Sequence, residues 1–499
     1  MPKQIYNNFT GGISDNDREG NYVMRDIDIF RDYGYLVPGF KKSDITITGQ
    51  NQHIIEIIHD SLNQRAYLLG NSARIYCVDT SSDTDVGNTF GDGTKNYVIV
   101  SGMSEAKGLI TYITQDSAYR VLFAYNGTNK DIAKGVLTNS WDGANLDRDW
   151  GSTVPTGGAT LQAGRRDIIK WGGYIWITNG RYVGKLDTLA ATPIFDPTFF
   201  DLGPDWTADR LFSTNHYLGI VASEAQQGSN YFPVVARTNN KCRIYLHDGV
   251  SSSATEIIPL EGINQIYAII NNNGNIILFA DNRSRAHILG VLQENGIEEI
   301  KELRFEVDGT VRNFLSPLSQ SAITIYKNKV LFGVGNNYAG LIFGYGRKDI
   351  NKNYILYQPY SLSTAVSSQI TSLKQVYTDK LYAGYFDGTN YKLAKLTSGY
   401  STSATYKAGY TDAGQRIRIN YVKFYFKPLV SGDSVTVSLD TDYGTSNPLR
   451  TISYAADGAI TSIKKVKNII CHAFRPVIKW NAGGTAFSKI VVDFDYIND

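Results

Sequence analysis

The sequence predicts an all-β protein: a β-propeller of about seven blades, with an extended N-terminal arm before it and a C-terminal β-sandwich after it. Three observations carry this. Of 47 acidic residues, 36 are Asp and 11 are Glu, and there are 47 Gly; Asp, Asn and Gly supply tight reversals and positive-φ positions, whereas helices favour Glu. A strand–turn–strand unit recurs along the middle of the chain. The pattern then changes near residue 398, where a Ser/Thr/Gly/Tyr-rich stretch gives way to alternating strands. With 499 residues the chain exceeds a single core, and 42% hydrophobic residues with 34 Tyr and 21 Phe supply ample apolar surface. The 49 Lys and Arg nearly balance the acids, for a net charge of +2. That balance gives no global case for wrapping nucleic acid or coating a membrane.

Residues 1–50 are polar, without sustained periodicity, and run to the Pro38-Gly39 pair. They read as an arm with too few apolar residues to fold alone, whose Tyr6, Phe9, Tyr22, Ile27, Ile29, Phe30, Tyr33 and Leu36 are spaced to be accepted in turn by a neighbouring subunit. Within residues 51–398, hairpin units begin near 54, 109, 167, 211, 263, 322 and 370. These intervals approach a propeller blade period, and radial stacking buries the faces that a lone hairpin leaves exposed. A pair of sandwiches or barrels with coincidental spacing is the competing architecture. Residues 399–499 hold six alternating runs, as a small antiparallel sandwich needs. Tyr421, Phe424, Phe426, Val435, Val437 and Leu439 are its inward candidates, with Trp480 as core anchor.

A search for chemistry finds no H-E-x-x-H, G-x-S-x-G or G-x-G-x-x-G. Gly180-Arg181-Tyr182-Val183-Gly184-Lys185 approximates a phosphate loop but has one residue too few and reads as a hairpin. Cys77, Cys242 and Cys471 lie too far apart for a zinc knuckle, and His53 and His59 are spaced too widely along a strand to share a metal. Propellers host glycosidases, so Glu56, Glu224, Glu261 and Glu306 are candidate carboxylates whose separations the sequence does not give. Asp440-Thr441-Asp442-Tyr443-Gly444 reads as a turn rather than a calcium loop, since Thr451 stands where the loop needs Glu. Lys464, Lys465 and Lys467 read as a solvated strand face. The expectation is therefore no catalytic residue, no metal and no cofactor. The N-terminus lacks the apolar core of a signal peptide, which makes Asn8-Phe9-Thr10 and Asn282-Arg283-Ser284 accidental sequons in a chain made in a cytoplasm.

The arm carries a further signal. Asn8-Phe9-Thr10-Gly11-Gly12, then Asp26-Ile27-Asp28-Ile29-Phe30, then Leu36-Val37-Pro38-Gly39 resemble the opening phrases of tailed-bacteriophage virion proteins. The family is the propeller-containing tail nozzle, or tail tubular protein B. Val422–Pro428 followed by Val435–Asp442 is also similar to that family's C-terminal sandwich. The resemblance implies a non-enzymatic virion component, located in the tail after synthesis in the host cytoplasm. It also implies a homo-oligomeric, sixfold ring with other phage tail proteins as partners, DNA as a transient passenger and the host surface as an open contact. This chain is shorter than many nozzles, which leaves a tail-tip or adaptor position open. The runner-up is a receptor-binding or glycan-binding depolymerase propeller, with Trp171, Tyr174 and Trp176 as sugar platforms.

Overall fold

The computed structural model describes residues 3–6, 23–25, 39–91, 93–113, 118–137, 141, 145–224, 241–282, 287–293, 296–302, 304–307, 310–313, 320–334, 340–347, 354–363, 365, 367–397, 399–402, 404–453, 461–466 and 469–497. Among these the regular structure is almost wholly strand, with one short α-helical turn at Trp150–Thr153. Seven antiparallel sheets follow one another along the chain, six of four strands and one of five. Their first strands are Ile54–Asp60, Glu105–Ile113, Ile168–Trp171, Trp206–Ser213, Ile263–Asn272, Ile323–Tyr326 and Gln369–Tyr377, here assigned to blades 1 to 7. Each first strand touches the first strand of the next blade, and that of blade 7 touches that of blade 1, so the ring closes. The fold is the propeller that the hairpin period predicts.

The cores lie between blades. Ile58 and Tyr67 of blade 1 share a cluster with Val121 and Phe123 of blade 2, and Leu122 and Ile132 of blade 2 share another with Ile175 and Leu186 of blade 3. Ile54 and Leu68 of blade 1 pack with Tyr382 and Leu393 of blade 7. Both faces of each sheet are thus apolar, which explains why the second strands are near-continuous apolar runs instead of alternating ones. Gly384 permits a close approach at the seam: a Cβ there would stand 2.7 Å from Ile54 Cβ.

Blade 7 is completed from the other end of the chain. Lys41–Ile45 pairs with Tyr391–Thr397 as its outermost strand, with Lys42 opposite Leu396. The division at residue 50 therefore cuts through a blade. The last strand of a closed ring needs a partner for its free edge, and Phe40 and Ile45, both buried, fix this segment in place. Across the seam, the Asp83 carboxylate of blade 1 accepts from Lys380 Nζ at 2.8 Å, Lys395 Nζ at 2.8 Å and Tyr382 Oη at 2.5 Å, all of blade 7.

The C-terminal sheet folds over on itself. Thr411–Phe426 pairs first with Ile470–Ala482 and then, past a register shift, with Phe487–Tyr496 and Thr461–Lys465. Ser434–Thr441 alternates in burial, placing Val435, Val437 and Leu439 inside. Trp480 is fully buried, donates its indole N–H to the Thr485 carbonyl at 2.8 Å and meets Phe487 edge-on. Tyr421 is a correction: period 2 puts Val422, Phe424 and Phe426 inward together, so Tyr421 lies half-exposed on the other face. The sandwich core is continuous with blade 7 through Leu373, Leu381 and Leu396.

The described parts of the arm add strands to this same sheet. Lys3–Tyr6 pairs with Phe487–Tyr496, and Val23–Arg25 pairs with Thr405–Lys407, so the two ends of the sheet's main path are both N-terminal strands.

Candidate functional site

The polar side chains of the blades' first strands, which line the propeller axis, form a connected set of charges among the described residues. Each arises from the same sequence feature, a charged or amide residue set inside or just before the first apolar run of a blade: Glu56 in IIEIIHD, Glu105 and Lys107 in EAKGLI, Arg165, Arg166 and Asp167 before IIKW, Asp209 and Arg210 in ADRLF, and Lys374 in ITSLKQVY. The sequence search weighed Glu56 alone among these. The signal that finds the rest is a polar residue recurring in or just before the first strand of the repeat, within strands otherwise too apolar to need one.

These groups bind one another across blades. Glu56 is 2% exposed and pairs with Lys107 Nζ at 2.9 Å. Ser321, from the 3-10 turn leading into blade 6, donates to Glu56 Oε2 and accepts from Lys107 Nζ at 3.2 Å. Arg210 of blade 4 reaches Glu105 of blade 2 at 3.3 Å and the Tyr267 carbonyl of blade 5 at 3.1 Å. Arg165 pairs loosely with Asp209 at 3.8 Å and donates to the Ile266 carbonyl at 3.1 Å. Gln320 closes on blade 5, accepting from Ile269 N at 2.9 Å and donating to Ile269 O at 2.5 Å. Side chains of non-adjacent blades meet at the axis, so the propeller's own channel has no width for a nucleic-acid duplex.

Burial sets the protonation behaviour. Asp167 is fully enclosed, and burial pushes its carboxyl up to about 6 against the pull of Lys107 and Arg210 and of the Leu211 and Ile168 amides. Burial lowers the Arg166 guanidinium to about 10; it is held by the Thr178 and Gln162 carbonyls and remains charged at neutral pH. Burial also lowers the Lys374 ammonium, with Glu56 opposing the shift. His59 is pushed down to about 4 by burial first and by the Lys374 charge next.

The other candidates fall into structural roles. Trp176 is fully buried and closed to a sugar, Trp171 is half-buried and donates to the Thr214 carbonyl at 3.1 Å, and Lys185 Nζ sits 4.0 Å over one face of the half-buried Tyr174 ring. Gly180 and Arg181 form the two-residue turn between Tyr174–Asn179 and Tyr182–Asp187. Asp442 and Tyr443 take positive φ in a turn closed by Gly444 N to Thr441 O at 3.1 Å, and Asp442 Oδ1 accepts from His472 N at 2.7 Å. His53 packs on Phe386 and Tyr391, and His59 on Tyr377. Cys77, Cys242 and Cys471 are buried. Glu224 and Glu261 stand at the end of, and after, strands of blade 4; the Glu306 and Lys464 side chains and Lys467 lie outside the described residues, and Lys465 is exposed.

Of the arm residues, Tyr6 is described: its hydroxyl lies 2.6 Å from Thr411 Oγ1, and burial pushes its phenol well up. Phe9, Tyr22, Ile27, Ile29, Phe30, Tyr33 and Leu36 lie outside the described residues.

No known family's sequence profile matches the chain. No curated protein matches it. Among solved structures it is similar to Raptor from Chaetomium thermophilum, at 11% identity and a TM-score of 0.44 over 74% of this chain and 30% of that one. It is similar to U3-55K at 12% identity and 0.42, over 71% and 98%. The exo-beta-1,3-galactanase of Phanerochaete chrysosporium follows at 10% and 0.28, over 68% and 98%. The chain spans under a third of Raptor. At these scores the likenesses carry no argument, and the strand pairing establishes the architecture by itself.

Proposed function

We propose that this protein is a non-catalytic structural component of a tailed-phage virion, a block of the tail nozzle or tail-tip ring through which DNA leaves the particle. The arm carries this reading, through its Asn8-Phe9-Thr10-Gly11-Gly12, Asp26–Phe30 and Leu36–Gly39 phrases. The geometry of the axis supports the non-catalytic half: Glu56, Glu105 and Asp209 are each committed to a cation of another blade, and function as fixed counter-charges that stiffen the ring. Because side chains close the propeller axis, DNA in this reading travels through a ring of copies, sixfold by the resemblance. The net charge of +2 suits a conduit, since a strongly basic wall would hold DNA through counterion release. Other tail proteins are the partners, and the virion tail is the location.

Two measurements test the reading. The protein should co-sediment with purified phage particles, and it should leave polysaccharide, peptidoglycan and nucleotides intact. Turnover of any of these, abolished by Glu56→Gln, would replace the structural role with an enzymatic one.

A further inference from the structure

We infer that the two N-terminal strands, Lys3–Tyr6 and Val23–Arg25, are exchanged between copies of this chain, each copy capping the C-terminal sheet of the next. The inference rests on the ring proposed above. Its basis is the placement of the strands. They occupy both ends of the sheet's main path, and each is joined to the sheet by backbone pairing, Lys3 to Asp493 through Tyr6 to Ile490 on one edge and Val23 to Lys407 through Arg25 to Thr405 on the other. The Tyr6 hydroxyl adds a bond to Thr411, 405 residues away in sequence. Contacts this distant in sequence are indifferent to which copy supplies the strand. What selects the donor is reach. Residues 26–39 lie between Val23–Arg25 and the buried Phe40, fourteen residues that span up to roughly 50 Å when extended, more than the width of a small domain, and residues 7–22 add sixteen more before Lys3–Tyr6.

The sheet requires a cap. Phe487–Tyr496 is a ten-residue strand of sequence FSKIVVDFDY, and without Lys3–Tyr6 its outer row of N–H and C=O groups stands open as a template for another chain. A strand from a second copy satisfies it by the same pairing at no cost in new surface design. Exchange of this kind is heterologous, head to tail, and closes into a ring when the rotation between copies allows. Blade 7 anchors the root of the arm through Lys41–Ile45, so the donor stays tied to its own propeller while the strands cross.

The test uses pairs of full-length chains, each member with its own tag. Ile5→Cys in one copy and Val491→Cys in the other place thiols at partnered positions, as do Val23→Cys and Lys407→Cys on the second edge. The native cysteines are buried, and the wild-type chain sets the background. After co-expression, a short bis-thiol reagent should join the two tags covalently in the oligomeric fraction, at both edges, where wild-type does not. If a chain carrying Ile5→Cys and Val491→Cys together closes only on itself, and the mixed pairs yield no joined product, exchange is overturned. The outcome is separable from the virion role: intrachain closure in a protein found in particles sinks exchange alone, and exchange in a protein absent from particles sinks the role alone.

Discussion

At the scale of residues, the ring is held by carboxylates whose charge is answered from a different blade. Asp83 is the clearest at the seam. Burial works to raise its carboxyl, but the bonds from Lys380, Lys395 and Tyr382 outweigh that and hold it below the usual range. Asp83→Ala leaves two part-buried ammonium groups without their partner and should cost about 3 kcal/mol, read by urea unfolding. That contribution is present above the unfolded carboxyl range and is lost as pH falls below it. Glu56→Ala should cost about as much by stranding Lys107, whereas replacing Glu56 and Lys107 together by Met should recover most of the loss. His59 and Asp167 act in opposite directions on acidification. His59, at about 4 when folded, takes its proton more readily in the unfolded chain, so its contribution is lost as pH falls from about 6.5 towards 4. Asp167, at about 6, binds its proton first in the folded state, so its contribution grows as pH falls from about 6 to 4. Between about pH 7 and pH 5, His59→Phe should therefore lose less stability than wild-type, and Asp167→Asn should lose more.

At the scale of elements, Lys41–Ile45 decides whether the propeller closes. A chain lacking residues 1–38 keeps this strand and should retain a cooperative propeller transition. A chain lacking 1–45 loses Phe40 and Ile45 from the core and opens the edge of Tyr391–Thr397, which should cost at least about 4 kcal/mol and promote aggregation. Gly384→Ala drives a Cβ against Ile54 at the same seam and should cost on the order of 1–3 kcal/mol, read as a lower Tm. Comparison with the sequence shows where such elements were legible. The seven hairpin starts were visible because each blade's second strand is a long apolar run after a turn of Asn, Asp, Gly or Lys, as at Leu68 and Leu69, Phe123 and Ile177. The closing strand was not, because KKSDI is polar on one side and its partner lies about 350 residues further on. Lys3–Tyr6 and Val23–Arg25 were hidden for the same reason: an edge strand needs only backbone pairing and carries little hydrophobic pattern. The axial charges were scattered as single residues in apolar runs, and only the repeat as a whole gives them a common place.

At the scale of the whole molecule, propeller and sandwich form one body. The propeller packs into the sandwich through one continuous core, and the N-terminal strands finish both. Such a body is suited to transmitting position from copy to copy, which is what the proposed tail ring requires, and its axis is lined with charges that answer one another. The most direct test is the location of the protein in whole particles. Phage particles from cells producing this chain, labelled with an antibody against its C-terminal sandwich and imaged singly, should carry label confined to the tail, in a ring of fixed copy number. Particles that are complete and infectious yet carry no label, with the protein remaining free in the lysate, would contradict the account.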